Sequence, residues 1–199
     1  TQIIAVNQAV DARTKGSLEE IAPTTVKPNG YEDWQVPWEK QVETIADAVG
    51  KEDEGDKLID DTEKAFEEFR HEHAELQDKS AAIVMPYDGK IGLYTEEDGR
   101  GQFIEDLGME IPDALQGDGG SFFVDIAPEN YAKLNQVDYL FVLDYNGSSD
   151  ALKKDKTFQG LDVVKEGRVR YLDTDTGNAM SMPNPVTIPW AVDKFEEKL

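Results

Sequence analysis

The sequence predicts an α/β fold with a central, mostly parallel sheet flanked by helices and preceded by one long helix. From Ser80 onwards, short apolar runs alternate with helical stretches, which is typical of βαβ units. The run Tyr139–Leu143 (YLFVL) gives the strongest indication of a central strand. The proline-free stretch Lys51–Asp78 lies before this region and predicts the long helix.

The stretch Lys51–Asp78 predicts a helix with most of its surface in water. It holds twelve acidic residues against four basic ones, a net charge of −8. Its apolar side chains fall near helical spacing and form a narrow stripe: Leu58, Ile59, Ala65, Phe66, Phe69 and Leu76. We therefore expect a strut between two bodies.

The part of the chain before this helix contains few predicted elements. Thr1–Val6 indicates the end of a buried strand, Asn7–Ile21 a loop and short helix, and Thr24–Val26 a second strand. Pro37 opens an amphipathic helix that Gly50 ends. These residues are too few in apolar side chains to form a domain of their own.

The later elements follow in order. The predicted strands are Ala81–Met85, Ile91–Tyr94, Ser121–Val124, Tyr139–Leu143 and Arg168–Leu172, with a turn at Tyr87–Lys90. The predicted helices are Gly101–Leu107, Pro128–Leu134, Thr157–Glu166 and Pro189–Leu199.

Composition and charge exclude several functions. The 199 residues carry a formal charge of −22, which disfavours nucleic acid and anionic membrane surfaces as partners. No Cys is present, so disulfides, thiolate metal sites and cysteine nucleophiles are excluded. No apolar run is long enough to cross a bilayer. The chain starts at Thr1 without a leader, so we expect a removed targeting segment or a piece of a longer chain.

Motifs for catalysis are absent. No GxSxG elbow, HExxH or Walker A sequence occurs. His71 and His73 project on different helix faces, which favours solvated histidines over metal ligands. The glycine-rich loop Gly117–Ser121 fits an anion cradle or, better, a flexible cleft edge. The acids of Glu96–Asp98 fit a cation site or, better, a solvated turn.

Several polar and aromatic residues follow predicted strands. Arg100 comes after the strand ending at Tyr94, which places it at the carboxyl edge of the sheet, where open α/β sheets bind ligands. Its guanidinium could pair with an anionic ligand or with the neighbouring acids, and spacing leaves both open. Tyr145 and Asn146 follow the central strand and Tyr87 the first, which indicates a broad, partly apolar cleft.

The order of these pieces resembles the iron–siderophore binding proteins of ABC importers. That helical-backbone class of substrate-binding proteins also includes cobalamin and haem binders. The segments that carry the resemblance are Ser17–Val26, Pro37–Lys51, Tyr94–Pro112, Asp125–Leu143 and Thr157–Asp173.

The resemblance implies two α/β lobes joined by one long helix, with the ligand held between them. Residues 1–33 would then be a remnant of the N-terminal lobe, 34–79 a helical segment with the inter-lobe backbone helix, and 80–199 a Rossmann-like C-terminal lobe. Most of the first lobe would lie before Thr1, so we expect weak ligand binding or none by these 199 residues.

The resemblance also implies site residues. Arg100 matches an arginine that contacts the anionic ferric chelate, and Glu129 matches an exposed acid that docks on arginines of the permease. Some members place a second ligand-binding arginine where this chain has Tyr145, so a triscatecholate ligand fits less well than a hydroxamate, mixed-ligand or haem-type cargo. The other implied cleft residues are Tyr94, Tyr87, Asn146, Met180, Asn178, Asn7 and Gln8.

The function implied is a non-enzymatic, extracytoplasmic solute-binding component of an ABC importer. It would bind a ferric siderophore and deliver it to the permease and its ATPase, with iron held by the chelator and no cofactor or protein metal ligand. We expect a cell-surface lipoprotein or periplasmic location, with membrane contact only through a lipid anchor. The alternatives are a haem or cobalamin binder of the same class, an α/β enzyme, and an adhesion or sensory module.

Overall fold

The computed structural model describes residues 1–199, which fall into two compact units, Thr1–Lys64 and Ala65–Leu199. The boundary lies inside the longest helix, so that helix contributes residues to both units. None of the helices combines the length and apolar character that crossing a bilayer requires.

The first unit contains a small parallel pair of strands and two helices before the long one. β1 (Ile3–Ala5) pairs with β2 (Thr24–Val26), and α1 (Ala12–Glu19) connects them. α2 spans Trp38–Val49 and ends at Gly50, whose φ of 68° is the left-handed conformation that favours glycine. These elements agree with the sequence-based prediction.

The long helix α3 spans Glu52–Glu72 and is shorter than predicted. Its first turn carries Glu52, Asp53 and Glu54 and its last turn Arg70 and His71, which complements the helix dipole. His73 leaves helical geometry (φ −114°, ψ 50°), and a separate 3-10 helix covers Ala74–Leu76. The prediction of one helix to Asp78 was therefore wrong at its C-terminal end.

The second unit is built on a five-stranded sheet of order β5-β4-β3-β6-β7. The strands are β3 (Ala81–Tyr87), β4 (Lys90–Tyr94), β5 (Phe123–Ile126), β6 (Tyr139–Asp144) and β7 (Val169–Asp173). β3 pairs parallel with β6, and β6 with β7, whereas β3–β4 and β4–β5 are antiparallel. The α/β class is confirmed, but the sheet is mixed because the tight turn after Tyr87 reverses the chain.

Both faces of this sheet are covered. On one face, residues such as Val84 and Val142 join a core with Tyr131 and Leu134 of a 3-10 helix, Pro128–Gln136. The short helices α5 (Ser149–Leu152), α6 (Lys156–Gln159) and α7 (Asp162–Lys165) contribute further apolar side chains to this core.

The other face packs on aromatic side chains. Phe195 of α9 (Thr187–Glu196) lies 4.5 Å from Phe141 of β6 and 6.1 Å from Phe103 of α4 (Gly99–Asp106), measured between ring centroids. Phe66 of α3 lies 5.5 Å from Phe103. This cluster anchors the C-terminal half of α3 to the sheet.

Three helix predictions needed correction. The Pro128 helix is a 3-10 helix, and the predicted Thr157–Glu166 helix is two short helices because Leu161 is extended (ψ 146°). A further helix, α8 (Thr174–Ser181), lies before the last one, where no helix was predicted. Asp173 begins α8 by accepting a hydrogen bond from the backbone N–H of Thr176 at 2.9 Å.

Candidate functional site

Arg100 and Asp98 form a largely buried ion pair at the start of α4. Asp98 is the N-cap of the helix, and its Oδ1 accepts the backbone N–H of Arg100 at 2.9 Å. The Arg100 Nη1 donates to Oδ1 and Oδ2 of the same carboxylate at 2.9 and 3.1 Å. The two side chains are only 16% and 12% exposed. Of the two partners that the sequence left open for Arg100, the structure contains the neighbouring acid.

Burial and charge act in opposite directions on this pair. Burial lowers the pKa of the Arg100 guanidinium, but the Asp98 carboxylate and two nearby tyrosines more than offset it, so the pKa is raised. Burial raises the pKa of Asp98, and the guanidinium and helix N–H offset this only in part. The guanidinium therefore remains charged beside a carboxylate that is costly to ionise.

Tyr94 lies beneath the guanidinium. The Arg100 Cζ is 4.1 Å from the centroid of the Tyr94 ring, a cation–π contact. The Tyr94 hydroxyl donates to the Met85 sulfur at 3.6 Å, and burial raises the pKa of this phenol. Tyr94 therefore fixes the position of Arg100 from below and stays neutral.

Tyr145 completes what we call the Arg100 cluster: Asp98, Arg100, Tyr94 and Tyr145. Its buried hydroxyl lies against α8, where a methyl group placed on Gly177 would be 2.8 Å away. The hydroxyl helps to raise the pKa of Arg100, although it makes no hydrogen bond of normal geometry. Arg100 Nε is likewise buried without a hydrogen-bond partner in the chain. Such groups are rare in folded proteins and mark this cluster as a place for polar recognition.

Beside this cluster lies an aromatic patch, defined as Tyr87, Phe122 and Phe123. Phe123 packs on Tyr87 and Tyr94 with ring centroids 5.6 and 5.3 Å apart. Gly92 makes this possible, because a Cβ at that position would be 1.8 Å from the Phe123 ring. Phe122 is 45% exposed, so part of the patch faces solvent.

The charged groups at this patch are also paired. The Tyr87 hydroxyl and the Lys90 ammonium both donate to the Asp125 carboxylate. Lys90 also lies 4.7 Å from the centroid of the Tyr87 ring. These contacts raise the pKa of Lys90 and lower that of Asp125, mainly through the hydrogen bond that joins them. Lys90 thus remains a cation, and the Asp125 carboxylate balances its charge.

The prediction that Arg100 follows a strand at the carboxyl edge of the sheet was wrong. β4 runs antiparallel to β3, so its carboxyl end points to the edge opposite the carboxyl ends of β3 and β6. Arg100 nevertheless meets Tyr145, since its side chain extends over Tyr94 and Tyr145 approaches it from the end of β6.

The remaining predicted residues are spread out. Asn146 is exposed, directly after Tyr145, in a left-handed conformation (φ 53°). Met180 is fully buried on α8, so its side chain presents no surface to a ligand, whereas Asn178 is exposed. Asn7 belongs to the first unit, where its Oδ1 accepts the backbone N–H of Val36 at 3.2 Å. Gln8 is exposed in the same unit.

The sequence did not identify Phe122, Phe123 or Asp98 as site residues. The two phenylalanines were assigned to a strand, and the signal that links Phe123 to the site is the glycine of β4, Gly92, which leaves room for the Phe123 ring. Asp98 was grouped with the solvated acids of its turn. Its place one residue before the first residue of a helix was the available signal for a cap.

The other charged candidates either have partners in the chain or face solvent. His73 binds Glu196 at 2.8 Å and Glu75 at 3.4 Å, and no cluster of His, Cys, Asp or Glu in residues 1–199 is arranged to hold a metal ion. Glu96 accepts a hydrogen bond from the Gln116 amide at 3.0 Å. Glu129 is exposed in the first turn of the 3-10 helix Pro128–Gln136.

A cavity of about 300 Å³ opens in the second unit. It lies between the β3–β4 turn and α5, with Lys90, Tyr131 and Asp155 in its wall. Tyr87 borders both this cavity and the aromatic patch. We take the Arg100 cluster as the candidate site because it combines a largely buried ion pair, a cation–π contact and two buried polar atoms without a hydrogen-bond partner.

Comparison with known proteins identifies one family and several solved structures to which this chain is similar. The sequence model of a family described as periplasmic binding protein matches residues 1–176. No curated protein sequence matches the chain. Among solved structures, the iron uptake ABC transporter substrate-binding protein PiaA of Streptococcus pneumoniae is similar at 26% identity and a TM-score of 0.82, over 98% of this chain and 69% of that one.

Two further structures are similar. PiaA in complex with ferrichrome matches at 26% identity and a TM-score of 0.83, over 98% of this chain and 67% of that one. A periplasmic solute binding protein of Mycobacterium smegmatis matches at 24% identity and a TM-score of 0.83, with the same coverage, and shares the fold.

Proposed function

Since this chain belongs to the periplasmic binding protein family, we propose that it is the solute-binding component of an ABC importer and that its solute is a ferric siderophore. The observation that carries the proposal is the Arg100 cluster beside a partly exposed aromatic patch. The structure of PiaA with ferrichrome, which is similar to this chain, adds support for the class of solute.

The chemistry of the cluster suits such a solute. A ferric siderophore presents ligand oxygens around the iron and an apolar or peptide-like periphery. A guanidinium and phenol hydroxyls donate hydrogen bonds to those oxygens, and aromatic rings pack on the periphery. Because the chelator supplies every iron ligand, the protein needs no metal ligand of its own.

We further propose that the protein acts as a binder without catalysis, outside the cytoplasm. Family membership indicates the extracytoplasmic location. The protein is either free in a periplasm or held at a cell surface by a lipid anchor. Membrane fractionation of cells that express it distinguishes these two locations.

The test of the solute is a tryptophan-fluorescence titration of this 199-residue chain with ferrichrome, haem and cobalamin. We expect weak but saturable binding of ferrichrome, the stronger of the two outcomes expected above for these 199 residues. Arg100→Ala should weaken it further by roughly tenfold or more, since a charge-assisted hydrogen bond contributes about 1.5–3 kcal/mol. Arg13→Ala is the matched control, an exposed arginine of the first unit, and should bind as wild type does.

Two outcomes would contradict the proposal. Tight binding of haem or cobalamin without binding of any ferric siderophore would show that the solute is not a ferric siderophore. Equal affinity of wild type and Arg100→Ala for ferrichrome would remove the Arg100 cluster from the site.

We propose that Glu129 docks the protein on arginines of the permease. Its carboxylate is exposed at the start of a 3-10 helix, where nothing in the chain competes for it. In proteoliposomes that contain the permease and its ATPase, Glu129→Gln should reduce transport and leave ferrichrome binding as in wild type. Glu68→Gln, an exposed glutamate on α3, is the control, and equal transport by both variants would exclude this role.

A further inference from the structure

The guanidinium of Arg100 is compensated before any solute arrives. Asp98 takes two hydrogen bonds from the same Nη1 atom, and the backbone N–H of Arg100 holds the carboxylate in that position. With both side chains mostly buried, the pair has a net charge of zero at the site. A solute that binds here therefore meets a dipole with hydrogen-bond donors rather than a free cation.

The neighbouring charges do not restore a positive field. Lys90, the cation of the aromatic patch, is paired with Asp125. Glu96 is exposed two residues before Asp98, and the chain as a whole carries a charge of −22. A polyanionic solute would approach an acidic protein at a site whose two cations already have anionic partners.

From this arrangement we propose that Asp98 determines the charge selectivity of the site: it makes the site prefer an electrically neutral ferric chelate, such as a ferric tris(hydroxamate), over a trianionic ferric tris(catecholate). This inference rests on the proposed function and names its solute class. The donor that serves a neutral chelate remains, namely the second amino group of the Arg100 guanidinium, Nη2, whereas Nε and the Tyr145 hydroxyl are buried.

Asp98→Asn tests the role of the carboxylate with little structural change. Asparagine is as good an N-cap as aspartate, so the hydrogen bond to the Arg100 backbone is kept while the negative charge is lost. A carboxylate and a trianion about 8 Å apart in water repel each other by an amount worth roughly tenfold in affinity. The variant should therefore gain about tenfold or more for the trianionic chelate and change much less for the neutral one.

The control is Asp155→Asn. Asp155 is also an N-cap, its Oδ1 accepts the backbone N–H of Phe158 at 2.9 Å, and it begins α6 on the other face of the sheet. The substitution changes the net charge by the same amount without touching Arg100. It should leave the affinities for both chelates as in wild type.

The experiment is equilibrium dialysis of the three proteins against radioiron-labelled ferrichrome and a ferric tris(catecholate), at low and at high salt. Wild type should bind ferrichrome more than tenfold more tightly than the ferric tris(catecholate). Asp98→Asn should reduce this ratio of affinities by about tenfold, most clearly at low salt. If wild type binds the trianion as tightly as ferrichrome, or if both Asn variants narrow the ratio equally, the inference is overturned and the proposed function stands. If wild type binds neither chelate, both fail together.

Discussion

Removing the Phe195 ring is the sharpest test of the packing described for the second unit. Phe195 is fully buried in α9, and its ring centroid lies 4.5 Å from that of Phe141 and 6.1 Å from those of Phe69 and Phe103. Phe195→Ala therefore leaves a cavity where α3, α4, α9 and the sheet meet.

The magnitude follows from these contacts. A buried Phe→Ala substitution costs about 3–5 kcal/mol in transfer and cavity energy. Three aromatic pairs, each contributing roughly 0.5–1.5 kcal/mol, are lost with the ring, which places this substitution in the upper part of that range. We expect a loss of about 4–5 kcal/mol in the free energy of unfolding, or roughly 8–20 °C in Tm for a protein of this size.

The assay is urea denaturation followed by far-UV circular dichroism. Phe122→Ala removes the same atoms from a ring that is 45% exposed, and we expect it to cost less than about 1 kcal/mol. A loss below about 1 kcal/mol for Phe195→Ala, or equal losses for both variants, would refute the assignment of this cluster as the core of the unit.

Three further changes can be tested on the same protein. Burial lowers the pKa of His73, but its hydrogen bonds and charge interactions with Glu196 and Glu75 together outweigh burial and raise the pKa above 6.5. These contacts should therefore stabilise the fold at acid pH, and the effect should be lost as pH rises through the raised pKa. In urea titrations, the stability difference between wild type and His73→Gln should shrink over that range of pH. Burial raises the pKa of Glu105 to about 7, so stability should fall between about pH 4.5 and pH 7, and Glu105→Gln should flatten that slope; an unchanged slope would show that Glu105 ionises freely. Gly92→Ala should displace the Phe123 ring and weaken ferrichrome binding in the titration described above, because the new Cβ would lie within the space of that ring; unaltered affinity would exclude the aromatic patch from the site.

The two central strands β3 and β6 were predictable because their side chains are nearly all apolar. The runs Ala81–Met85 and Tyr139–Leu143 are buried on both faces of the sheet, and such strands show as unbroken apolar runs. The turn at Asp88-Gly89 between two apolar runs was predicted, but its consequence, an antiparallel β3–β4 pair in a sheet expected to be mostly parallel, was missed. Helix α8 was missed because Gly177 lies in its middle and its apolar residues are few.

The site was only partly predictable, because its key contacts join residues far apart in sequence. Tyr145 could be proposed from its place after a strand, and the family resemblance pointed to Arg100 and Tyr94. That Arg100 lies over the Tyr94 ring and pairs with Asp98 depends on side-chain conformations that spacing does not determine. Met180 was expected to line the cleft, but it lies on α8 with its side chain in the core.

The turn between β3 and β4 has a consequence for the order in which the second unit acquires its structure. Asp88 and Gly89 both have positive φ (45° and 74°), the conformation of a two-residue turn whose twist matches that of the strands it joins. Closing this ribbon needs almost no loop entropy, whereas β6 reaches β3 only after a long intervening segment. In pulsed hydrogen exchange we expect the amides of the ribbon to become protected before those of β6 and β7, so the antiparallel half of the sheet would serve as the template on which the parallel half is added.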